Sequence, residues 1–400
     1  MAQRLTPFEI MERLVGFPTV SRDSNLPLVD WVEDYLRENG IAAHRHYDQS
    51  GEKAALFAHV GPKVAGGIVL SGHTDVVPVD GQPWASDPFT VVHRDGRYYG
   101  RGCCDMKGFD ALAIWTLVEA HHRRVARPLQ LALSYDEEVG CVGAPPMIER
   151  MIEVLPKADL AIIGEPSMMQ AVTAHKGGLG YDVRVVGFEV HSSIMHRGVN
   201  AIMTAAPLID WANRMNAENR ARPPSDLAAL FEPPWTTLHV GTISGGTAHN
   251  ITAKDCRFGM DFRVVPGEDP EVWGARFLAR VAEAEAAMQA VHPDTRIEIT
   301  PKFVVPGLQP EKAGAAEGLV RQITGDNGRH VVSYGTEAGQ FQEAGYSAVI
   351  CGPGDIAQAH QPDEYLALDM LEPCVKFLRQ LIIRSCLEGS GPGRSGGEKE

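Results

Sequence analysis

A change of grammar near Gly178 limits what this chain can fold into more than any other feature. Before it, apolar residues at helical spacing over Phe8 to Val15 and Leu28 to Leu36 precede short apolar runs at Gly67 to Leu70, Leu129 to Tyr135 and Leu160 to Ile163. The runs read as buried strands, and Phe109 to Val118 and Met147 to Val154 between them read as helices. Strands alternating with helices predict an α/β domain with a mostly parallel sheet covered on both faces. From Gly178 the order becomes strand Tyr181 to Val186, helix Asn200 to Met215, strands Thr237 to Ile243 and Arg257 to Val264, helix Glu271 to Ala290 and strand Arg296 to Thr300. This βαββαβ succession is a complete split-βαβ unit, able to fold by itself. Strand-like Val331 to Ser333 and Ala348 to Cys351 and the helical Leu371 to Ile383 then resume the first pattern. The expected organisation is a main domain from residues 1–178 and 303–387, interrupted by an inserted unit at 179–302. Residues 388–400, rich in Gly, Ser and charge, read as a disordered tail.

The 400 residues are enough for two cores, and 44% hydrophobic with 22% charged residues is the balance of an ordinary globular protein. Lys plus Arg total 37 against 51 Asp plus Glu, a net charge of −14, with no dense basic run. Nucleic acid and anionic membranes are therefore excluded as expected partners. Met1 to Val20 carries Glu9 and Glu12 and no long apolar stretch, so neither a signal peptide nor a membrane span is expected, and a cytoplasmic location is. Seven scattered cysteines without CxxC spacing read as reduced thiols. The adjacent Cys103 and Cys104 read as small turn residues, with metal ligation or a redox couple as the alternative, because neighbouring side chains of an extended chain point apart.

In an open α/β sheet, ligands bind beyond the carboxyl ends of the strands. Three of the expected strands end in side chains that can hold metal: one runs into His73-Thr74-Asp75, one into Asp136-Glu137-Glu138 and one into Glu165-Pro166. A Gly-punctuated loop, Gly100 to Gly108, can present Asp105, and Cys351 to Asp355 leads to His360-Gln361-Pro362-Asp363-Glu364. Each residue alone reads as an ordinary surface or core group. Gathered at one buried rim, the carboxylates would repel one another unless a cation sat among them. Mixed imidazole and carboxylate donors suit zinc or similar divalent ions, and a carboxylate can bridge two ions ~3.5–4 Å apart.

The segments SGHTDVVPVD, YGRGCCDMKG, SYDEEVG, IIGEPS and AHQPDE, in this order, resemble the metallohydrolase family that contains acetylornithine deacetylase, succinyl-diaminopimelate desuccinylase, aminoacylase and the glutamate carboxypeptidase G type. The resemblance covers nearly the whole chain. It implies that His73 and Glu165 hold one metal, Glu138 and His360 the other, and that Asp105 bridges them. It implies two divalent ions, Zn2+ with Co2+ or Mn2+ as alternatives, hydrolysing an N-acyl amino acid through a water they share. Asp75 would orient His73, which makes physical sense because a carboxylate on one ring nitrogen fixes the tautomer. Glu137 matches the general base, able to take the water's proton and pass it to the leaving amine. The inserted unit, ferredoxin-like, would serve as lid and dimerisation domain of a homodimer. His191, in the segment Gly187 to Ser193, matches a histidine that reaches the partner subunit's active site as oxyanion stabiliser, with His196 the nearby competitor. Gly245-Gly246, Asn250 and Arg263 match positions that grip the substrate α-carboxylate. Asn250 is followed by Ile251-Thr252-Ala253 where relatives often carry proline.

Tyr334 to Gln342 together with Cys351 to Asp355 looks like the acetylornithine deacetylase branch, which implies deacetylation of N-acetyl-L-ornithine in arginine biosynthesis and puts Gly335, Thr336 and Glu337 at the substrate. Glu337 could attract a cationic side chain or be a plain loop carboxylate. Desuccinylation of succinyl-diaminopimelate, hydrolysis of another acyl amino acid or dipeptide, and a catalytically silent metal-binding protein are the other readings.

Overall fold

The computed structural model describes residues 4–387; the expected tail at 388–400 lies outside the described residues. The chain opens with a helix, Pro7–Val15, whose Thr6 and Glu9 form a reciprocal capping box. Thereafter an eight-stranded sheet organises the main domain. Its strands lie in the order Ala43–Tyr47, Ala54–Val60, Leu129–Ser134, Ile68–His73, Leu160–Pro166, Ser347–Gly352, Val172–His175 and His330–Val332. The four central strands, from Leu129–Ser134 to Ser347–Gly352, are parallel to one another. Ala43–Tyr47 and Ala54–Val60 add antiparallel to one side.

Alternation along the strands explains the layering. Leu56, Ala58 and Val60 belong to one core with Leu70, Leu131 and Leu133, while Ala55, Phe57, Val69 and Ala132 belong to a second core on the other face. Helices Leu26–Glu38, Lys107–Arg123 and Leu368–Cys386 cover the first face, and Ala144–Val154 with the short Ala338–Glu343 cover the second. Lys107–Arg123 is buried on almost every side, which is why its sequence carries apolar residues all round instead of a single stripe.

Residues 177–305 supply a second, antiparallel sheet in the order Thr237–His239, Asp255–Val264, Gly177–Val186 and Arg296–Val305, with Ile243–Gly245 also pairing Asp255–Val264. Helices Ala201–Ala221 and Pro270–Gln289 pack on it through Leu208, Trp211, Trp273 and Phe277, against Val183, Val185, Phe258 and Phe262. This unit has its own core. The expected strand Thr237 to Ile243 is two short strands, interrupted between His239 and Ile243. Phe303, on the strand that returns to the main domain, lies where Cβ atoms on Gly140 and Gly180 would clash with its ring side chain, at 2.3 and 2.6 Å. Those two glycines, from different units, make room for one aromatic at the crossing.

Candidate metal centre

Parallel pairing aligns the strand ends, and the side chains that follow them meet. His73 ends its strand opposite Ser134, one residue before the turn that carries Asp136, Glu137 and Glu138. Asp105 stands just ahead of helix Lys107–Arg123, where the helix dipole favours negative charge. A Cβ on Gly108 would fall 2.2 Å from the Cys103 carbonyl oxygen, so only glycine lets the Asp105 loop fold back onto the first helical turn.

The arrangement centres on Asp105. Its Oδ1 is 3.1 Å from His73 Nε2 and its Oδ2 is 3.2 Å from His360 Nε2. Glu165 Oε1 lies 3.9 Å from His73 Nε2, and Glu138 Oε2 lies 3.1 Å from His360 Nε2. Two half-sites result, each with one imidazole and one terminal carboxylate, sharing the Asp105 carboxylate. His73, Asp105 and Glu165 are buried, whereas the His360 side chain is 48% exposed. Donor atoms of His73, Asp105 and Glu138, and equally of His73, Glu137 and Glu165, lie within 4.8 Å of one another. A set of two imidazoles and carboxylate oxygens, without thiolate, fits zinc, cobalt or manganese.

His73 Nδ1 donates to the Asp75 carbonyl oxygen at 2.9 Å, which leaves Nε2 as the ring nitrogen that faces Asp105 and Glu165. The Asp75 carboxylate itself is 3.6 Å from Nδ1. It accepts instead from the backbone N–H groups of Glu137 and Glu138, at 3.1 and 3.3 Å, and from Ser21 Oγ at 2.7 Å. Thus Asp75 braces the turn that carries Glu137 and Glu138, while its main chain sets the His73 tautomer.

The charges confirm how crowded the cluster is. Burial, with Glu138 and Asp105 adding to it against His73, pushes Glu137 up to about 8. Burial and Asp105 push Glu138 up to about 7, and burial with Asp105 and Glu137 holds Glu165 well above the usual carboxylate range. Hydrogen bonds to Asp105 and Glu138 raise His360 to about 10. Burial opposes charge on His73, yet Asp105, Glu137 and Glu165 keep it well above an ordinary histidine. Excess carboxylate that must otherwise be neutralised by protons is what a pair of divalent cations would relieve.

The centre opens into a cavity of about 840 Å³ between the two sheets, lined on one side by Asp105, Glu137, Glu138, Glu165 and His360. Arg263 lines the other side, hydrogen-bonded through Nε to Asp261 at 3.2 Å, and so does Lys302, which pairs with Asp182 at 2.9 Å. Gly335 lines it too. Thr336 and Glu337 do not: both are buried, and the Glu337 carboxylate accepts from Ser134 Oγ and, at 3.3 Å, from Ser71 Oγ, beneath the rim. His191 and Asn250 are exposed neighbours outside the cavity, joined by a bridge between His191 and Ile251 and by a Ser192 N–H donated to the Asn250 carbonyl at 2.9 Å. His196 is exposed nearby. Cys103 and Cys104 are buried free thiols, and neither is in the donor set. Sequence reasoning did not single out Lys302, His239 or Tyr334 as lining residues; Tyr334 donates its hydroxyl to the Pro166 carbonyl at 3.2 Å. Their only signal was position: His239 ends the strand Thr237–His239, Lys302 follows the expected strand Arg296 to Thr300, and Tyr334 opens the branch-specific run. No described helix is long and apolar enough to cross a membrane.

Comparison with known proteins agrees with this geometry. The family model of peptidase family M20/M25/M40 matches residues 69–384. A protein named acetylornithine deacetylase from Myxococcus xanthus is 34% identical over 381 residues, covering 94% of this chain and 96% of that one. Among solved structures, the M20 family metallo-carboxypeptidase Sso-CP2 of Sulfolobus solfataricus superposes with a TM-score of 0.77 at 17% identity, covering 94% of this chain and 98% of its own. A Bacillus subtilis protein described as a dinuclear metal binding peptidase of the M20 family gives 0.62 at 14% identity, with 95% and 97% covered.

Proposed function

Since the chain belongs to peptidase family M20/M25/M40 and is an amide hydrolase of that family, we propose that it removes the acetyl group of N-acetyl-L-ornithine with the help of two divalent metal ions. The observation that carries this reading is the Asp105 carboxylate, whose two oxygens each face a different imidazole at 3.1 and 3.2 Å. His73 and Glu165 would hold one ion, His360 and Glu138 the other. Bound there, the ions would supply Lewis acidity and bring the pKa of a water down from ~16 toward neutrality.

The remaining chemistry belongs to the chain. Glu137, half-buried on the cavity wall, is raised to about 8 by burial without cations; a nearby positive charge lowers it toward the range where a carboxyl can both take and return a proton. It takes the water's proton and delivers it to the departing amine nitrogen, a poor leaving group when unprotonated. Arg263 receives the substrate α-carboxylate, to which its planar fork is matched. His191 and Asn250, exposed side by side on the inserted unit, complete the cavity of a partner subunit in a homodimer, where His191 donates to the developing oxyanion. The fragment likeness to the acetylornithine deacetylase branch and the 34% identity to the Myxococcus protein support the choice of substrate. A cavity of about 840 Å³ also has room for longer acyl groups or a dipeptide, so the second reading is a dipeptide or succinylated substrate.

The test is a panel of N-acetylornithine, N-succinyl-diaminopimelate and simple dipeptides, assayed with Zn2+, Co2+ or Mn2+ and after chelation. N-acetylornithine should be cleaved fastest, chelation should abolish turnover and added metal should restore it. Preference for the succinylated compound or a dipeptide replaces the substrate assignment, and full activity after exhaustive metal removal ends the two-ion reading.

A further inference from the structure

Glu364 lies four residues beyond His360 and belongs to neither half-site, yet its side chain is fully buried and makes the densest set of polar contacts near the centre. Oε1 accepts the backbone N–H groups of Gly102, Cys104 and Asp105 at 3.0, 2.9 and 3.0 Å. Oε2 accepts Arg101 Nη1 at 2.6 Å, and that guanidinium is as buried as its partner. The Glu364 carbonyl accepts the Gly100 N–H at 2.9 Å, and the strand that follows, Tyr365–Ala367, pairs with Arg97–Tyr99. The loop carrying Asp105 therefore wraps around one carboxylate contributed from the far end of the chain.

The contacts continue to the second imidazole. Arg101 Nη2 donates to Gln82 Oε1 at 2.6 Å, and Gln82 Nε2 donates to the His360 carbonyl at 3.1 Å. An ion pair alone would explain Arg101 but would not gather three N–H groups of one loop on the other oxygen. Those donors have no helical or strand partners, so a buried acceptor-only group is what their arrangement requires. Such concave sets of main-chain N–H groups bind anions generally, and here the anion is built into the protein.

We propose that Glu364 is the positioning residue of the metal centre: seated in a nest of three backbone N–H groups and one guanidinium, its carboxylate holds the loop shape that aims Asp105 between His73 and His360 and ties the His360 loop to it. The metal-binding readouts rest on the two-ion reading of Asp105; the loop geometry does not, so failures of the two are distinguishable.

The first test uses wild-type protein stripped of metal. Amides of Gly102, Cys104 and Asp105 should exchange with solvent at least ~100-fold more slowly than an unstructured peptide, because the carboxylate and not the metal orders them. Exchange at unstructured rates until metal is added overturns the proposal. The second test removes the charge that a neutral residue 364 would strand, by combining Arg101→Met with either Glu364→Gln, which keeps an oxygen on the nest, or Glu364→Ala, which empties it. Metal affinity, read by competition with a coloured chelator, should be about 10–100-fold weaker in the Ala pair than in the Gln pair, with both metal-free forms folded by circular dichroism. Equal affinities overturn the proposal, and if neither pair folds, the exchange measurement decides it. Wild-type protein that retains protected amides but binds no divalent ion would instead overturn the two-ion reading.

Discussion

The two walls of the cavity differ in how much they are braced. On the main-sheet wall, His73, Asp105 and Glu165 are buried, and Asp75 and Glu364 each hold their neighbours with several hydrogen bonds. On the inserted unit's wall, Arg263 keeps a single partner on its own strand, and the unit's His191 and Asn250 stand outside the cavity in solvent. A group that must meet charge developing in a reaction works best when fixed beforehand. On the proposed function, the braced wall is complete in one chain, while the exposed one is finished by domain closure or by a second chain.

Removing the proposed base tests the braced wall and carries the largest expected effect. Glu137→Gln keeps the shape and leaves the ligands in place, so metal content should stay near wild type while kcat falls by about 10²–10⁴. Turnover within a few-fold of wild type would strip Glu137 of this role. Loss of metal together with rate would show Glu137 to be a ligand, which its position within 4.8 Å of the His73 and Glu165 donor atoms makes a concrete alternative.

The exposed wall is tested by mixing. His191→Ala should lower kcat by about 10²–10³, the size of losing one oxyanion donor, without changing metal content. Asp105→Ala alone should be inactive. Unfolding is unnecessary if subunits exchange; co-expression of the two variants should recover part of the activity, because a dimer then contains one site with an intact centre and an intact partner histidine. No recovery in a verified mixed dimer would place the histidine's action within its own chain, by closure of the inserted unit.

What could be read from the sequence follows the same division. The convergence of His73, Glu138 and Glu165 was legible because each follows an apolar strand run, and parallel pairing brings such ends together whatever the details. Asp75 is expected from the sequence to orient His73 through its carboxylate, whereas the structure puts its carbonyl on His73 and its carboxylate on the turn at Glu137 and Glu138, a division no spacing rule gives. Glu337 sits in a run that marks a branch, and only packing shows that it faces Ser71 and Ser134 and not the cavity. Ala43–Tyr47, with two histidines and an arginine, lacks the apolar signature of a strand and was missed. The strand Ala54–Val60 beside it is apolar but was also passed over, and both enter the sheet antiparallel, outside the strand-helix alternation. Glu364 was visible within its motif, yet its role comes from contacts across more than 250 residues of chain.

A smaller effect asks whether the braced wall is built at a cost in stability. Asp110, on helix Lys107–Arg123, is buried with Oδ1 lacking any partner, pressed so close to the strand of His73 that a Cβ on Gly72 would fall 2.1 Å from it. No carboxylate of the inserted unit, among the described residues, is buried in that way. Burial holds the Asp110 carboxyl well above 3.8, so the folded protein keeps its proton where the unfolded chain has released it. The stability of the protonated form is therefore fully available below pH 3.8 and is lost progressively as pH rises toward the folded-state value. Asp110→Asn cannot ionise, so its advantage over wild type should be smallest in acid and widen as pH rises through that window. Denaturant unfolding of metal-free protein at pH 5, 6 and 7 measures the gap. A constant gap, or a variant less stable than wild type at pH 7, would mean that this carboxylate finds compensation in the folded state and that rigidity of the main-sheet wall carries no such cost.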